Sequence, residues 1–317
     1  MLKENEMENN KIGAAIQYFR ESYQISQSKL CKGLCSVATL SRIEAGERDA
    51  DSLLLETLLE RLGKMSNQFE LILTDSDYVL YQNREEIKRN IEEKNYEEAY
   101  ALLREYDKIA SSKGNVHIQY VLASRAMLNE MNGGTINDTI EMLLKAFTYT
   151  VPDFMKTGIK DNYLSNGELT IIINVIQHML SASMIEQAKD LLLQVLEYLD
   201  EHNSVEENNR LYPKVASIAT RLYIGEQDLE HALEMCNRGV EKNKGNRKMD
   251  YLGELIYLKA QIQERSMLTK HDPEVTQKEC MKLYLQAYYV FYNCEEFTIA
   301  EEIKKHLQEE FQWEDID

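Results

Sequence analysis

The chain has 317 residues, a net charge of −18, 44% hydrophobic residues, 13 glycines and only 3 prolines. Leu, Glu, Ala and Lys dominate, a balance that suits helices and argues against a sheet protein. No apolar run approaches the roughly eighteen residues that a bilayer span needs, and the opening MLKENEMENN is too polar for a signal peptide. The expectation is a cytoplasmic chain without a membrane partner.

The first ten residues read as a polar lead. Ile12, Ala15, Ile16 and Phe19 then follow the i, i+3, i+4, i+7 spacing of an amphipathic helix. The stretch ISQSKLCKGLCSVATLSRIEAGER, residues 25–48, has the order of a helix-turn-helix. Ser26 caps a short helix that Gln27 opens, Leu30 points inward, and a tight turn falls near Gly33. A second helix runs from about Ser36 to Ala45 and is ended by Gly46 in a left-handed cap. Leu40 and Ile43 share its buried face. Ser36, Val37, Ala38, Ser41 and Arg42 are left facing outward, as a surface that enters a DNA groove must be. With Gln27, Ser28 and Arg48 they form the candidate DNA-contact set. Leu55, Leu58, Leu59 and Leu62 predict a further helix that Gly63 stops.

Charge distribution supports this placement. Residues 11–48 hold six basic and three acidic side chains, so the segment is +3 and the rest of the chain −21. An acidic body repels DNA everywhere except at such a head. So few cations give one head little phosphate affinity, which implies a homodimer with two heads on two half-sites.

Beyond residue 80 the chain repeats itself. YEEAYALL (96–103), NDTIEMLL (137–144), IEQAKDLL (185–192) and LEHALEMC (229–236) share a small or apolar residue followed by two apolar ones, three and four places on. The members are Ala99/Leu102/Leu103, Ile140/Leu143/Leu144, Ala188/Leu191/Leu192 and Ala232/Met235/Cys236, with Cys280/Leu283/Tyr284 extending the series. Helical stretches at 116–131, 169–183, 211–225 and 250–265 precede the later members. The pattern predicts an all-α fold: a small N-terminal helix-turn-helix bundle followed by a tetratricopeptide-like superhelix whose concave wall is built from first helices. The expected division is a head at 1–66, a linker at 67–80 and a ligand-binding and dimerisation array at 81–317.

Head and repeats together resemble the Rgg/PlcR-type peptide-pheromone regulators of Gram-positive bacteria. The resemblance is carried by GLCSVATLSRIEAGERD (33–49), LLLETLLERLGK (53–64) and the repeats that follow. It implies that Gln27 touches the DNA backbone and that Ser36, Val37, Ala38 and Arg42 project from the recognition helix. Arg42 is the candidate for direct base reading, since a guanidinium can bond guanine O6 and N7 together. Arg20 and Glu44 match a pair that ties the first helix to the end of the recognition helix. The turn is one residue shorter than is usual in such heads, and Val37 and Ala38 offer few base contacts. The resemblance also implies a short signalling peptide on the concave wall. Phasing the first helices by the residues that follow them puts Arg125, Asn129, Gln177, Ser217 and Arg221 on or near the inner face, with Asn174 beside them. Amides there suit peptide main chain and arginines suit carboxylates.

No phosphate loop, nucleophile elbow or paired metal-ligand motif occurs, so no catalytic residue, metal or cofactor is expected and the chain does not read as an enzyme. Cys31 and Cys35 lack nearby further zinc ligands, and the five cysteines read as reduced core residues. Tyr284, Tyr288, Tyr289 and Tyr292 suit a packing core and a dimer face equally. A second reading of the whole chain is a protein-interaction scaffold whose head reads DNA weakly or not at all.

Overall fold

The computed structural model describes residues 2–64, 69, 71, 74–202, 208–246, 251–269 and 275–314. The expected domain boundary at residue 66 lies outside them. The described residues form sixteen helices and no strand. They fall into two compact units, one reaching to Tyr198 and the other beginning at Leu199. Among the described residues no helix is long and apolar enough to cross a membrane.

The first unit opens with α1 (Leu2–Ser22), α2 (Gln27–Leu30), α3 (Val37–Glu44) and α4 (Ser52–Arg61). The stretch read as a polar lead is helical from Leu2, because it carries neither the glycine nor the proline that would stop a helix. Side-chain caps start the next three helices. Ser26 accepts from Lys29 N, Ser36 from Thr39 N and Asp51 from Leu54 N. Gly33, Gly46 and Gly63 hold φ of 76°, 70° and 70° at the turns that follow, a region a side chain rarely enters. Leu30, Leu40, Ile43, Leu55, Leu58 and Leu59 are buried together with Ile16. At Gly13 a Cβ would stand 2.0 Å from the Ile43 carbonyl oxygen, so α1 and α3 cross in near backbone contact.

α5 (Asp75–Glu92) begins inside the stretch read as linker and starts the repeats. It is followed by α6 (Tyr96–Lys113), α7 (Asn115–Met131), α8 (Ile136–Thr150), the short α9 (Phe154–Thr157), α10 (Asn166–Ser181) and α11 (Ile185–Glu201). The second unit holds α12 (Asn208–Gly225), α13 (Leu229–Asn246), α14 (Leu252–Leu268), α15 (Gln277–Asn293) and α16 (Phe297–Phe311).

One turn recurs between paired helices. Lys94, Ser183, Gln227 and Glu295 sit at φ of 63°, 60°, 63° and 61°. The next residue donates its N–H five positions back: Asn95 to Asn90, Met184 to Met179, Asp228 to Tyr223, Glu296 to Phe291. This is the Schellman ending of one helix, leading at once into the next. Five residues after each left-handed position stands an alanine, Ala99, Ala188, Ala232 or Ala300, none more than 1% exposed. Between α7 and α8 the turn is made by Gly133 and carries one extra residue, so Thr139 rather than Ile140 takes the small-residue place.

Cys280 is fully buried on α15, which packs against both α14 and α16; the three-residue turn Cys294–Glu296 joins α15 to α16.

Candidate DNA-contact face and ligand cavity

On α3 the outward set is presented as the spacing predicts. Ser36, Ala38, Ser41 and Arg42 are exposed, and Val37 is 45% exposed. Val37 with Ser41 and Ala38 with Arg42 are i, i+4 neighbours on one face. Arg42 has no ion-pair partner among the described residues. Its helix is fixed from behind: Arg20 Nε and Nη2 donate to the two Glu44 carboxylate oxygens at 2.7 and 2.9 Å, and Nη1 donates to the Ile25 carbonyl at 3.1 Å. The bond to Glu44 raises the Arg20 pKa above its ordinary value. Gln27 donates through Nε2 to Glu44 at 2.7 Å, so its amide is ordered at the edge of the face. Ser28 is exposed beside Ser26 at 3.0 Å, and the exposed Arg48 donates to Thr39 Oγ1 at 3.4 Å.

Behind this face the head is docked on the repeats by buried polar contacts. Arg61, at the end of α4, donates to both oxygens of Glu168 at 2.5 and 3.1 Å. It also donates to the carbonyls of Leu30 (3.1 Å), Lys32 (2.7 Å) and Thr150 (3.0 Å). Both side chains are almost wholly buried, 3% and 0% exposed. Glu168 belongs to the capping box of α10 and accepts from Ser165 N at 2.7 Å. Burial alone would push its carboxyl up. The Arg61 guanidinium and the Ser165 and Thr150 bonds outweigh that and hold it below the ordinary carboxylate value.

A second contact lies at the other end of α4. The buried His117 ring places Nε2 2.9 Å from Asp51 Oδ1 and Nδ1 2.7 Å from the Tyr106 hydroxyl. A proton on Nε2 satisfies both, with Tyr106 donating to Nδ1. Burial raises the Asp51 carboxyl, but the His117 bond and the cap N–H of Leu54 bring it below its ordinary value. Asn115 bridges the Gly33 and Tyr149 carbonyls at 2.7 and 3.1 Å. A Cβ on Gly33 would stand 2.0 Å from the Thr150 oxygen.

Between α4 and the repeats lies a cavity of about 540 Å³. Its wall comes from α5, α7 and α10, each the first helix of its hairpin, with Leu143 of α8 contributing from a second helix. That is the wall the repeat pattern assigns to the inner face. α4 supplies the opposite side through Leu53, Glu56, Thr57 and Glu60.

Of the six residues read as peptide contacts, Asn174 lines this cavity. Arg125 is held by Asp107 at 2.5 Å, Asn129 donates to Thr139 at 3.3 Å, and Gln177 is exposed on α10. In the second unit Arg221 pairs with Glu254 at 2.9 Å. Ser217 is 2% exposed and bonds the Lys214 carbonyl, so it does not lie on an open face. The docking residues Arg61, Glu168, His117 and Asp51 are absent from the sequence reading. They carry no local motif, and the Arg61–Glu168 partners stand 107 positions apart.

All five cysteines are free thiols. Cys35 is pushed up to about 12 by burial and by the neighbouring Cys31 thiol, which makes it a poor nucleophile at neutral pH. Cys294 departs from the core reading, being exposed. The tyrosine cluster divides: Tyr284 and Tyr288 are buried, Tyr289 and Tyr292 are half-exposed.

A helix-turn-helix bundle followed by tetratricopeptide-like hairpins is the architecture of the Rgg/PlcR-type regulators, and solved structures share it with this chain. Bacillus thuringiensis PlcR in complex with the peptide PapR7 and DNA aligns with a TM-score of 0.56 at 18% identity, over 93% of this chain and 99% of PlcR. The apo form of the same protein aligns with a TM-score of 0.58 at 16% identity, over 93% and 98%. The likeness is one of fold. No family model and no curated protein matches the sequence.

Proposed function

We propose that this chain is a cytoplasmic, sequence-specific DNA-binding transcriptional regulator that acts as a homodimer and is switched by a short signalling peptide. In this reading residues 1–66 are the DNA-binding head, 67–80 the connection, and 81–317 the ligand-binding and dimerisation array. The observation that carries it is the α3 face: an exposed surface with an Arg42 that has no ion pair among the described residues, on a helix locked from behind by the bidentate Arg20–Glu44 bond. A vestigial head has no physical need for that combination. PlcR, which shares the fold, has been seen with both a peptide and DNA. Ser36, Val37, Ala38, Ser41 and Arg42 enter the major groove, while Gln27, Ser28 and Arg48 contact the flanking backbone. A ligand between α4 and the inner wall touches head and repeats at once, and so favours one head arrangement over another.

The test is selection of binding sites from a random DNA pool by the full-length protein and by Arg42→Ala. A palindromic consensus from the parent, lost or relaxed in the variant, supports the reading. No enrichment with either protein contradicts it.

A further inference from the structure

The cavity beneath α4 has a chemistry that selects its occupant. Its volume of about 540 Å³ falls within the roughly 300–1,000 Å³ of sites for small ligands and short peptide segments, too small for a folded partner. Its deep surface is apolar: Ile91, Val116, Leu143 and Ile171 line it and are all buried. Its more exposed lining carries four carboxylates, Glu56 and Glu60 on α4 and Glu85 and Glu92 on α5, against two cations. Of these cations Arg84 is itself buried, 3.5 Å from the Tyr106 hydroxyl, and Lys88 lies 4.0 Å from Glu92; Glu60 accepts from Asn166 N at 3.0 Å, and the lining as a whole keeps more carboxylates than cations. An apolar floor under an acidic rim complements a ligand that carries apolar and positive groups alternately. Buried Gln119, also in the lining, has its Nε2 donating to Thr150 Oγ1 and the Ala146 carbonyl, which leaves its Oε1 as an acceptor for a peptide N–H.

We infer that this cavity binds a short cationic amphipathic peptide, apolar side chains inward and positive groups on the rim carboxylates, in direct contact with Glu56 and Glu60 of the head helix α4. The inference rests on the peptide-switched reading and adds to it the peptide's charge and its point of contact with the head. Ligand and head then meet without an intervening repeat.

The test uses full-length protein and fluorescence polarisation of a fluorescein-labelled heptapeptide of alternating lysine and leucine. A second heptapeptide has glutamate in place of lysine. The lysine peptide should bind at least about tenfold tighter, the effect of two or three partly screened charge pairs. Met127→Arg, on a lining residue already 41% exposed, should weaken it by about tenfold, and Ala123→Trp should do so by filling the space. Thermal melts followed by circular dichroism establish that both variants are folded, and Met127→Arg, at the surface, keeps the test valid if Ala123→Trp is not. Equal binding of the two peptides overturns the proposal. So does undiminished binding by the folded variants, which would mark general attraction to an acidic chain, and so does spermidine binding as tightly as the peptide. A DNA mobility shift run in parallel separates the two claims. Specific DNA binding with charge-indifferent peptide binding refutes this site alone. The expected peptide profile without specific DNA binding supports the site and refutes the regulator reading.

Discussion

Replacing Arg61 by methionine removes the group that joins head to repeats, and the structure sets the size of the effect. The guanidinium makes five hydrogen bonds, two to Glu168 and one each to Leu30, Lys32 and Thr150. Arg61→Met leaves the Glu168 carboxylate wholly buried without its counter-charge, an error that costs about 3–5 kcal/mol. The orphaned carbonyls would add more, but the loss is capped because the head can leave the repeats and let water reach Glu168. The expected destabilisation is therefore about 3–5 kcal/mol in urea unfolding followed by circular dichroism, with faster hydrogen exchange in α4 and the first turn of α10. The sharper test is a change of sign. Glu168→Gln destabilises the parent, because it removes the charge facing Arg61. In the Arg61→Met background the same change stabilises, because a neutral amide replaces an unpaired buried carboxylate and still accepts from Ser165 N. Arg61→Met within about 1 kcal/mol of the parent, or Glu168→Gln destabilising both backgrounds, would refute the reasoning.

Arg20→Met strands Glu44 behind α3 and should cost the head about 3 kcal/mol, seen as an earlier unfolding transition together with, on the proposed function, weakened DNA binding; on the same proposal Arg42→Ala should lose DNA binding with an unchanged melt. Gly13→Ala forces α1 off α3, since its Cβ would meet the Ile43 oxygen at 2.0 Å, whereas Gly167→Ala meets nothing nearer than Ser165 Oγ at 3.8 Å. The first should lower the melting temperature by several degrees and the second by little. Acid should loosen the docked head. Glu168 and Asp51 are both held below their ordinary carboxylate values, so their stabilisation is present above the unfolded value near about 4. It is lost as pH falls through the folded values. Exchange in α4 should accelerate below about pH 4, and Asp51→Asn should remove part of that dependence.

What the sequence revealed follows the range of the interactions. Caps and turns are local, so Ser26, Ser36, Gly33, Gly46 and Gly63 announce the helices of the head from neighbouring residues alone. The buried alanines announce the hairpins for the same reason, because each stands a fixed five residues after a left-handed turn. Cys280 and Tyr284 are buried on α15 as the triad spacing predicts, while the left-handed turn at Glu295 and the buried Ala300 on α16 show a further pairing that the triads did not name. The Arg20–Glu44 pair was legible through the resemblance, and the structure joins the two side chains by two hydrogen bonds. The docking of head on repeats was not legible. Arg61 and Glu168, or Asp51 and His117, are ordinary residues in sequence and become partners only when the fold brings them together. The wall of the cavity was legible as helices, not as residues. Phasing placed the first helices on the inner face, and α5, α7 and α10 line the cavity, but among the six named residues Asn174 alone reaches it.

The most direct test of the DNA-binding claim is a mobility-shift titration of the full-length protein on the DNA upstream of its own gene, against a scrambled duplex, at two salt concentrations. The account predicts a discrete complex containing an even number of chains, at least about a thousandfold tighter than on the scrambled duplex, weakening as salt rises and absent for Arg42→Ala. Equal, weak binding to both duplexes, unchanged by Arg42→Ala, would contradict it.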